Sequence, residues 1–126
     1  MTAEISAVGA YVPSNRVSND ELAKTIDTSD EWIRSHTGIG NRHIASEDEA
    51  SSDLGVNASR TALERAGVEP GEVDMIICST ATPDYPGFPA TASIIQHKLG
   101  ADNAGAFDIL AGCTGFVYGL ELARTL

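Results

Sequence analysis

Apolar residues fall along the chain in short bursts separated by turn-forming residues, and the bursts change character from one to the next. Residues 4–12 (EISAVGAYV) are β-prone and end at Pro13, which predicts a first strand. Ser18-Asn19-Asp20-Glu21 supplies N-cap residues and early acids for a short helix over about 19–26. A second short helix is predicted to open near Ser29-Asp30-Glu31 and to stop at Gly38. Glu47, Asp48, Glu49, Ser51, Ser52 and Asp53 form the acidic start of a third helix reaching about Ala66, with Gly67 as its C′ residue. The run 73–80 (VDMIICST) is apolar between turn signals and predicts a buried strand. Residues 83–89 (PDYPGFP) hold three prolines and a glycine, so an irregular loop is expected. A helix over about 90–99 carries Ile94, Ile95 and Leu99 and stops at Gly100; a third strand over 104–109 and a last helix over 113–126 complete the pattern. Strands alternating with helices predict an α/β sheet with parallel neighbours and right-handed crossovers.

The last helix is unusual. TGFVYGLELARTL is apolar or small on nearly every side, interrupted only by Glu121, Arg124 and Thr125. Such a helix requires cover all round, from further chain or from a dimer interface, and Gly115 and Gly119, four residues apart, would let another element approach closely. The expectation is that the sequence is part of a longer protein.

Composition narrows the partners. The 126 residues carry 8 basic against 18 acidic side chains, a net charge of −10. Phosphate neutralisation needs clustered Lys and Arg, so nucleic acid is not an expected partner, and neither is an anionic membrane surface. An anionic substrate would need a local basic patch, for which Arg34 and Arg42 are the candidates near a recognisable site. No run is long enough to span a membrane and the start lacks a signal-peptide pattern, so a cytoplasmic location is expected. The two cysteines, Cys78 and Cys113, lack metal-type spacing; no metal site is expected, and reduced thiols are.

Cys113 stands where the strand GAFDIL turns through Ala111-Gly112 into the last helix. The first amides of a helix lack intrahelical partners and carry positive partial charge, which favours the reactive thiolate and would stabilise the oxyanion formed when a thioester carbonyl is attacked. By itself a cysteine in AGCTG is more often a small buried residue. Cys78, mid-strand in an apolar run, reads as core packing. A nucleophilic cysteine needs a partner that manages protons, and none of His36, His43 or His97 has a spacing that ties it to Cys113.

Beyond these readings, DTSDEWI (27–33), TGI (37–39), RHIA (42–45), Phe88-Pro89, Phe107-Asp108 and AGCTGF (111–116) resemble, in order and spacing, the β-ketoacyl-acyl-carrier-protein synthase III family. The resemblance runs from about Ile5 to Leu126. It implies a thiolase-like α/β fold of two similar halves in five layers, of which residues 1–126 would be part of the first half. It implies a homodimeric acyltransferase of fatty acid initiation that condenses an acyl-coenzyme A starter with malonyl-acyl-carrier protein. Coenzyme A thioester would be substrate, with no separate cofactor. The family's catalytic His and Asn lie in its second half and match no residue here. Cys113 matches the acylated nucleophile. Trp32 matches the tryptophan that stacks on adenine; without the motif it would read as a core residue. Thr28 and Thr37 match residues at the same tunnel mouth, though both could equally be caps. Phe88 matches the residue that closes the partner protomer's acyl pocket. Where the family often carries arginine, this chain has His36, which puts an imidazole in place of a guanidinium. The alternatives are a secondary-metabolism condensing enzyme, an inactive fragment of either, and a non-catalytic α/β binding module, which the absence of a phosphate-binding glycine loop weakens.

Overall fold

The computed structural model describes residues 3–126, in which Val12–Asp48 forms one unit and the residues up to Tyr11, with Glu49–Leu126, form the other. In the smaller unit, β1 (Asn15–Ser18) leads directly into α1 (Asn19–Leu22), followed by α2 (Asp30–Thr37) and β2 (Asn41–Ile44). β1 and β2 pair antiparallel, Asn15 opposite Ile44 and Ser18 opposite Asn41. This pair was not expected, and the helix expected over 19–26 is a single turn. Ser18 caps it with a reciprocal Glu21 bond, but the amide and hydroxyl of Thr25 both bond back to the Leu22 carbonyl, at 3.0 and 2.9 Å, and these i−3 bonds end the helix in a turn. α2 begins and ends as expected. The Ser29 hydroxyl accepts from the Trp32 amide at 3.1 Å, and Gly38 closes the helix at φ 74°, in the left-handed region that favours glycine.

Asn19 knits this unit together from an almost fully buried position, 1% exposed. Its amide group donates to Asp30 Oδ1 and to the Ile39 carbonyl, each at 2.8 Å, and its oxygen accepts from Arg42 Nη2. One side chain thus joins α1, α2, the following turn and β2.

The larger unit contains α3 (Ser51–Ala66), β3 (Met75–Ser79), α4 (Thr91–Leu99), β4 (Gly105–Ile109) and α5 (Gly115–Thr125). β3 and β4 pair in parallel, Ile77 opposite Phe107 and Ser79 opposite Ile109, as the strand–helix alternation predicts. Successive strand residues face opposite sides, and this sorts the layers. The Asp108 carboxylate accepts the first amides of α4, from Thr91 and Ala92, both at 2.7 Å. Gly119 of α5 lies against Ile77 and Ile109. α4 and α5 therefore cover opposite faces of the pair, and α3 packs on α4, with Val56, Ala92 and Ile95 buried.

Two further expectations need correction. Residues 4–12 form no strand among the described residues. A strand exists only through a ladder partner, and this segment is held in other ways: Arg65 donates to the Val8 carbonyl at 2.7 Å, and Gly9 lies so close to α3 that a Cβ there would sit 2.0 Å from the Ala58 carbonyl oxygen. Ile5 and Val8 stay two-thirds exposed. The last helix begins at Gly115 rather than at 113, because Gly112–Thr114 form a 3₁₀ turn. The apolar surface of α5 is open, Phe116 being 70% exposed and Val117 63%.

The close approach expected at Gly115 and Gly119 is to β3 and β4. A Cβ on Gly115 would fall 1.9 Å from Ser79 Oγ and 3.1 Å from Ser79 Cβ. Gly115→Ala is expected to lower unfolding stability by about 1–3 kcal/mol through overpacking, read from denaturant midpoints. Adding Ser79→Gly should restore much of the loss, and equal effects in both backgrounds would contradict the contact.

Candidate active site

The turn that carries Cys113 is built from i−3 hydrogen bonds. Gly112 takes φ 52°, a conformation that any Cβ would strain. The Thr114 amide donates to the Ala111 carbonyl at 3.3 Å, the Thr114 hydroxyl donates to the same oxygen at 2.8 Å, and the Gly115 amide donates to the Gly112 carbonyl. The two amides that follow Cys113 are thus engaged within the turn, and the sulfur stands immediately ahead of α5 rather than inside its first turn. The sharp glycine bend expected from the sequence is present.

Cys113 is exposed and lines a cleft of about 930 Å³ between β3 and α5. The walls are largely apolar, with Met75, Ile77, Phe116 and Leu120 among them. Cys78 differs in every respect. It is half-buried and, by strand alternation, on the α4 side of β3 with Asp108. Burial, together with the charges of Asp108 and Asp84, pushes its thiol up to about 11. At pH 8 such a thiol is ionised to roughly one part in a thousand, and only thiolate is alkylated. Brief iodoacetamide treatment of the folded protein at pH 8 is therefore expected to label Cys113 and spare Cys78, as peptide mapping would show. Both cysteines are free.

The other singled-out residues fall in separate places. Thr28 and Trp32 line a second cavity of about 340 Å³ with Asp27 and Ser29, wholly within the smaller unit. Trp32 is 56% exposed, a surface tryptophan rather than a core one. Thr37 is committed locally, its hydroxyl donating to the Ile33 carbonyl at 2.7 Å and accepting from the Ile39 amide at 3.1 Å. Phe88 stands 92% exposed in the proline-rich loop.

Neither arginine named as a basic candidate is unengaged. Arg34 pairs with Asp30 at 2.8 Å, and the bonds from Asn19 and Arg34 hold the Asp30 carboxyl below its ordinary value. Arg42 bonds Asn19 and, at 3.2 Å, the Val17 carbonyl. His43 Nδ1 donates to the Pro13 carbonyl at 2.5 Å, and His97 is exposed on α4. The contact that sequence reasoning missed is between Trp32 and His36, whose rings stack with centroids 4.3 Å apart and planes 21° from parallel. Their i, i+4 spacing on α2 was the available signal. Among the described residues no cluster of His, Cys, Asp and Glu is arranged to hold a metal, and no helix is long and apolar enough to cross a membrane.

No protein-family model matches the chain. Curated relatives do. The β-ketoacyl-[acyl-carrier-protein] synthase III of Sulfurimonas denitrificans is 52% identical over 97% of this chain and 37% of its own length. That of Neisseria meningitidis serogroup C is 57% identical over 97% of this chain and 38% of its own length. The chain thus spans well under half the length of these relatives. Among solved structures, 3-oxoacyl-[acyl-carrier-protein] synthase III from Aquifex aeolicus superimposes with a TM-score of 0.92 at 43% identity, covering 98% of this chain and 40% of that one. The priming β-ketosynthase of the R1128 polyketide pathway superimposes with a TM-score of 0.89 at 45% identity, covering 96% and 36%. In sequence the chain is similar to a part of the β-ketoacyl-acyl-carrier-protein synthase III proteins, and it has their thiolase-like fold.

Proposed function

We propose that this chain supplies the nucleophile and the coenzyme A-facing surface of a decarboxylative condensing enzyme, residues 1–126 forming part of its first thiolase-like half. The Cys113 thiolate attacks the carbonyl of an acyl-coenzyme A, and coenzyme A leaves as its thiolate. Malonyl-acyl-carrier protein loses carbon dioxide, the resulting carbanion attacks the acyl-Cys113 carbonyl, and the cysteine thiolate is released. The product is a β-ketoacyl thioester on the carrier, the opening step of fatty acid synthesis.

The observation that carries this reading is an exposed cysteine, set by a left-handed glycine at the edge of an apolar cleft, in a chain more than half identical to named synthases. The cleft walls suit an acyl chain and would limit water at the thioester. The cavity at Trp32 suits a planar heterocycle bearing an amino group: an indole face for stacking, the Asp27 carboxylate and two hydroxyls as acceptors, and no cation among its lining residues. The phosphates of coenzyme A would then be met elsewhere. Phe88, so exposed, is assigned to a homodimer contact. Cytoplasmic residence fits the substrates.

The test is product formation by the protein at the full length of its relatives, supplied with acetyl-coenzyme A and malonyl-acyl-carrier protein. β-Ketobutyryl carrier and carbon dioxide are expected in equal amounts. Decarboxylation without a condensed product would count against the reading. The similarity to a polyketide priming synthase favours one second reading, a secondary-metabolism starter enzyme. Much faster turnover with a starter other than acetyl-coenzyme A would select it.

A further inference from the structure

We infer that His36 is a positioning residue for coenzyme A: its imidazole backs one face of the Trp32 indole and leaves the other to the adenine. The inference rests on the coenzyme A reading of Trp32 above. The two rings stack at 4.3 Å and 21°, so one face of the indole is already occupied. The imidazole is itself tethered. His36 Nδ1 lies 2.8 Å from the Trp32 carbonyl oxygen, and a carbonyl only accepts, so Nδ1 carries the proton and donates. The Ser35 hydroxyl donates to the same carbonyl at 3.0 Å and lies 3.1 Å from Nδ1. The stack is thus fixed to the backbone of α2 at the very residue whose side chain it covers.

The cavity beside the indole lies toward the start of α2. Asp27, Thr28 and Ser29 border it with Trp32, and His36 does not. Tether and cavity are therefore separate, the ring holding the tryptophan from one side while the polar residues of the N-cap face the ligand. Trp32 is more than half exposed, and an exposed side chain loses rotamer freedom when it binds. A partner that already fixes its plane reduces that loss, which on the usual scale for one immobilised side chain or one aromatic pair is worth about three- to ten-fold in affinity.

The test is steady-state kinetics on the full-length protein with two thioesters, acetyl-coenzyme A and acetyl-pantetheine, the second lacking the nucleotide. His36→Ala should raise KM for acetyl-coenzyme A about three- to ten-fold with kcat held, and should leave the acetyl-pantetheine parameters as they were. His36→Phe, which keeps a flat ring on the indole, should recover most of the loss. A His36→Ala effect equal on both substrates, or none on either, would overturn the inference, as would a His36→Phe enzyme no better than His36→Ala. Trp32→Ala separates the two layers of the argument. If it raises KM for acetyl-coenzyme A while His36→Ala does not, the inference fails and the coenzyme A reading of Trp32 stands; if Trp32→Ala leaves KM unchanged, that reading falls and the inference with it.

Discussion

Cys113→Ala in the full-length protein is expected to lower the rate of condensation by at least about a thousand-fold, with acetyl-coenzyme A still bound. The physical reason is that in the proposed reaction the acyl group is held covalently between two half-reactions, and Cys78 is the only other cysteine of the 126 residues. Cys78 cannot substitute: it faces the opposite side of the strand pair, is half-buried, and has a thiol pushed up to about 11 by burial and two neighbouring carboxylates. Cys78→Ala should accordingly retain activity within a few-fold, any loss reflecting packing of β3 against α4. The split between kcat and binding matters here. Alanine at 113 removes the nucleophile without filling the cleft, so the Kd for coenzyme A measured by calorimetry should move little. A Cys113→Ala enzyme that condenses at a tenth of the normal rate would mean that acyl transfer passes directly from one thioester to the other.

Asn19→Leu should destabilise the Val12–Asp48 unit by about 3 kcal/mol. The change is nearly isosteric, so packing is not the issue. It removes three hydrogen bonds from a site only 1% exposed, two of them to the charged groups of Asp30 and Arg42, and it strands the Ile39 carbonyl. Deleting one partner of a buried polar contact costs about 1–3 kcal/mol, toward the upper end when charges are involved. Trp32 reports on this unit, and it is the only tryptophan of the 126 residues. The denaturation midpoint followed by Trp32 fluorescence should fall, and KM for acetyl-coenzyme A should rise because α2 is no longer anchored through Asp30. A shift of under about 1 kcal/mol would show that the network is solvated rather than structural.

The parts of this fold that could be read in the sequence are those decided locally. Ser18 with Glu21, Ser29, Gly38, Gly67 and Gly100 mark helix ends because capping chemistry acts within a few residues, and each does so in the structure. The runs at 73–80 and 104–109 are apolar enough to announce β3 and β4. The antiparallel pair β1–β2 was hidden because NRVS and NRHI carry one apolar residue each, and their pairing spans more than twenty residues. The run 4–12 misled for the converse reason: its composition favours a strand, but a strand is a property of two segments, and no described segment pairs with this one. Asn19 gave no signal as a hub, since a polar residue after a helix cap ordinarily faces water.

The candidate site divides in the same way. The family resemblance singled out Cys113, which the small residues around it did not do alone, and the bend at Gly112 was expected. That the following amides would be taken up by a 3₁₀ turn was not, because Thr114 can serve a turn or a helix equally well. The Trp32–His36 stack was within reach of helical spacing, but side-chain rotamers decide whether two such rings meet.

The central claim is that acyl groups pass onto Cys113. It is tested most directly by incubating the full-length protein with acetyl-coenzyme A labelled with carbon-14 in the acetyl group, quenching in acid and mapping the labelled peptide. One acetyl per protomer, carried on the peptide that contains Cys113 and absent after Cys113→Ala, is the predicted result. Label on the Cys78 peptide, or a Cys113→Ala protein that is labelled as fully as the parent, would contradict the account.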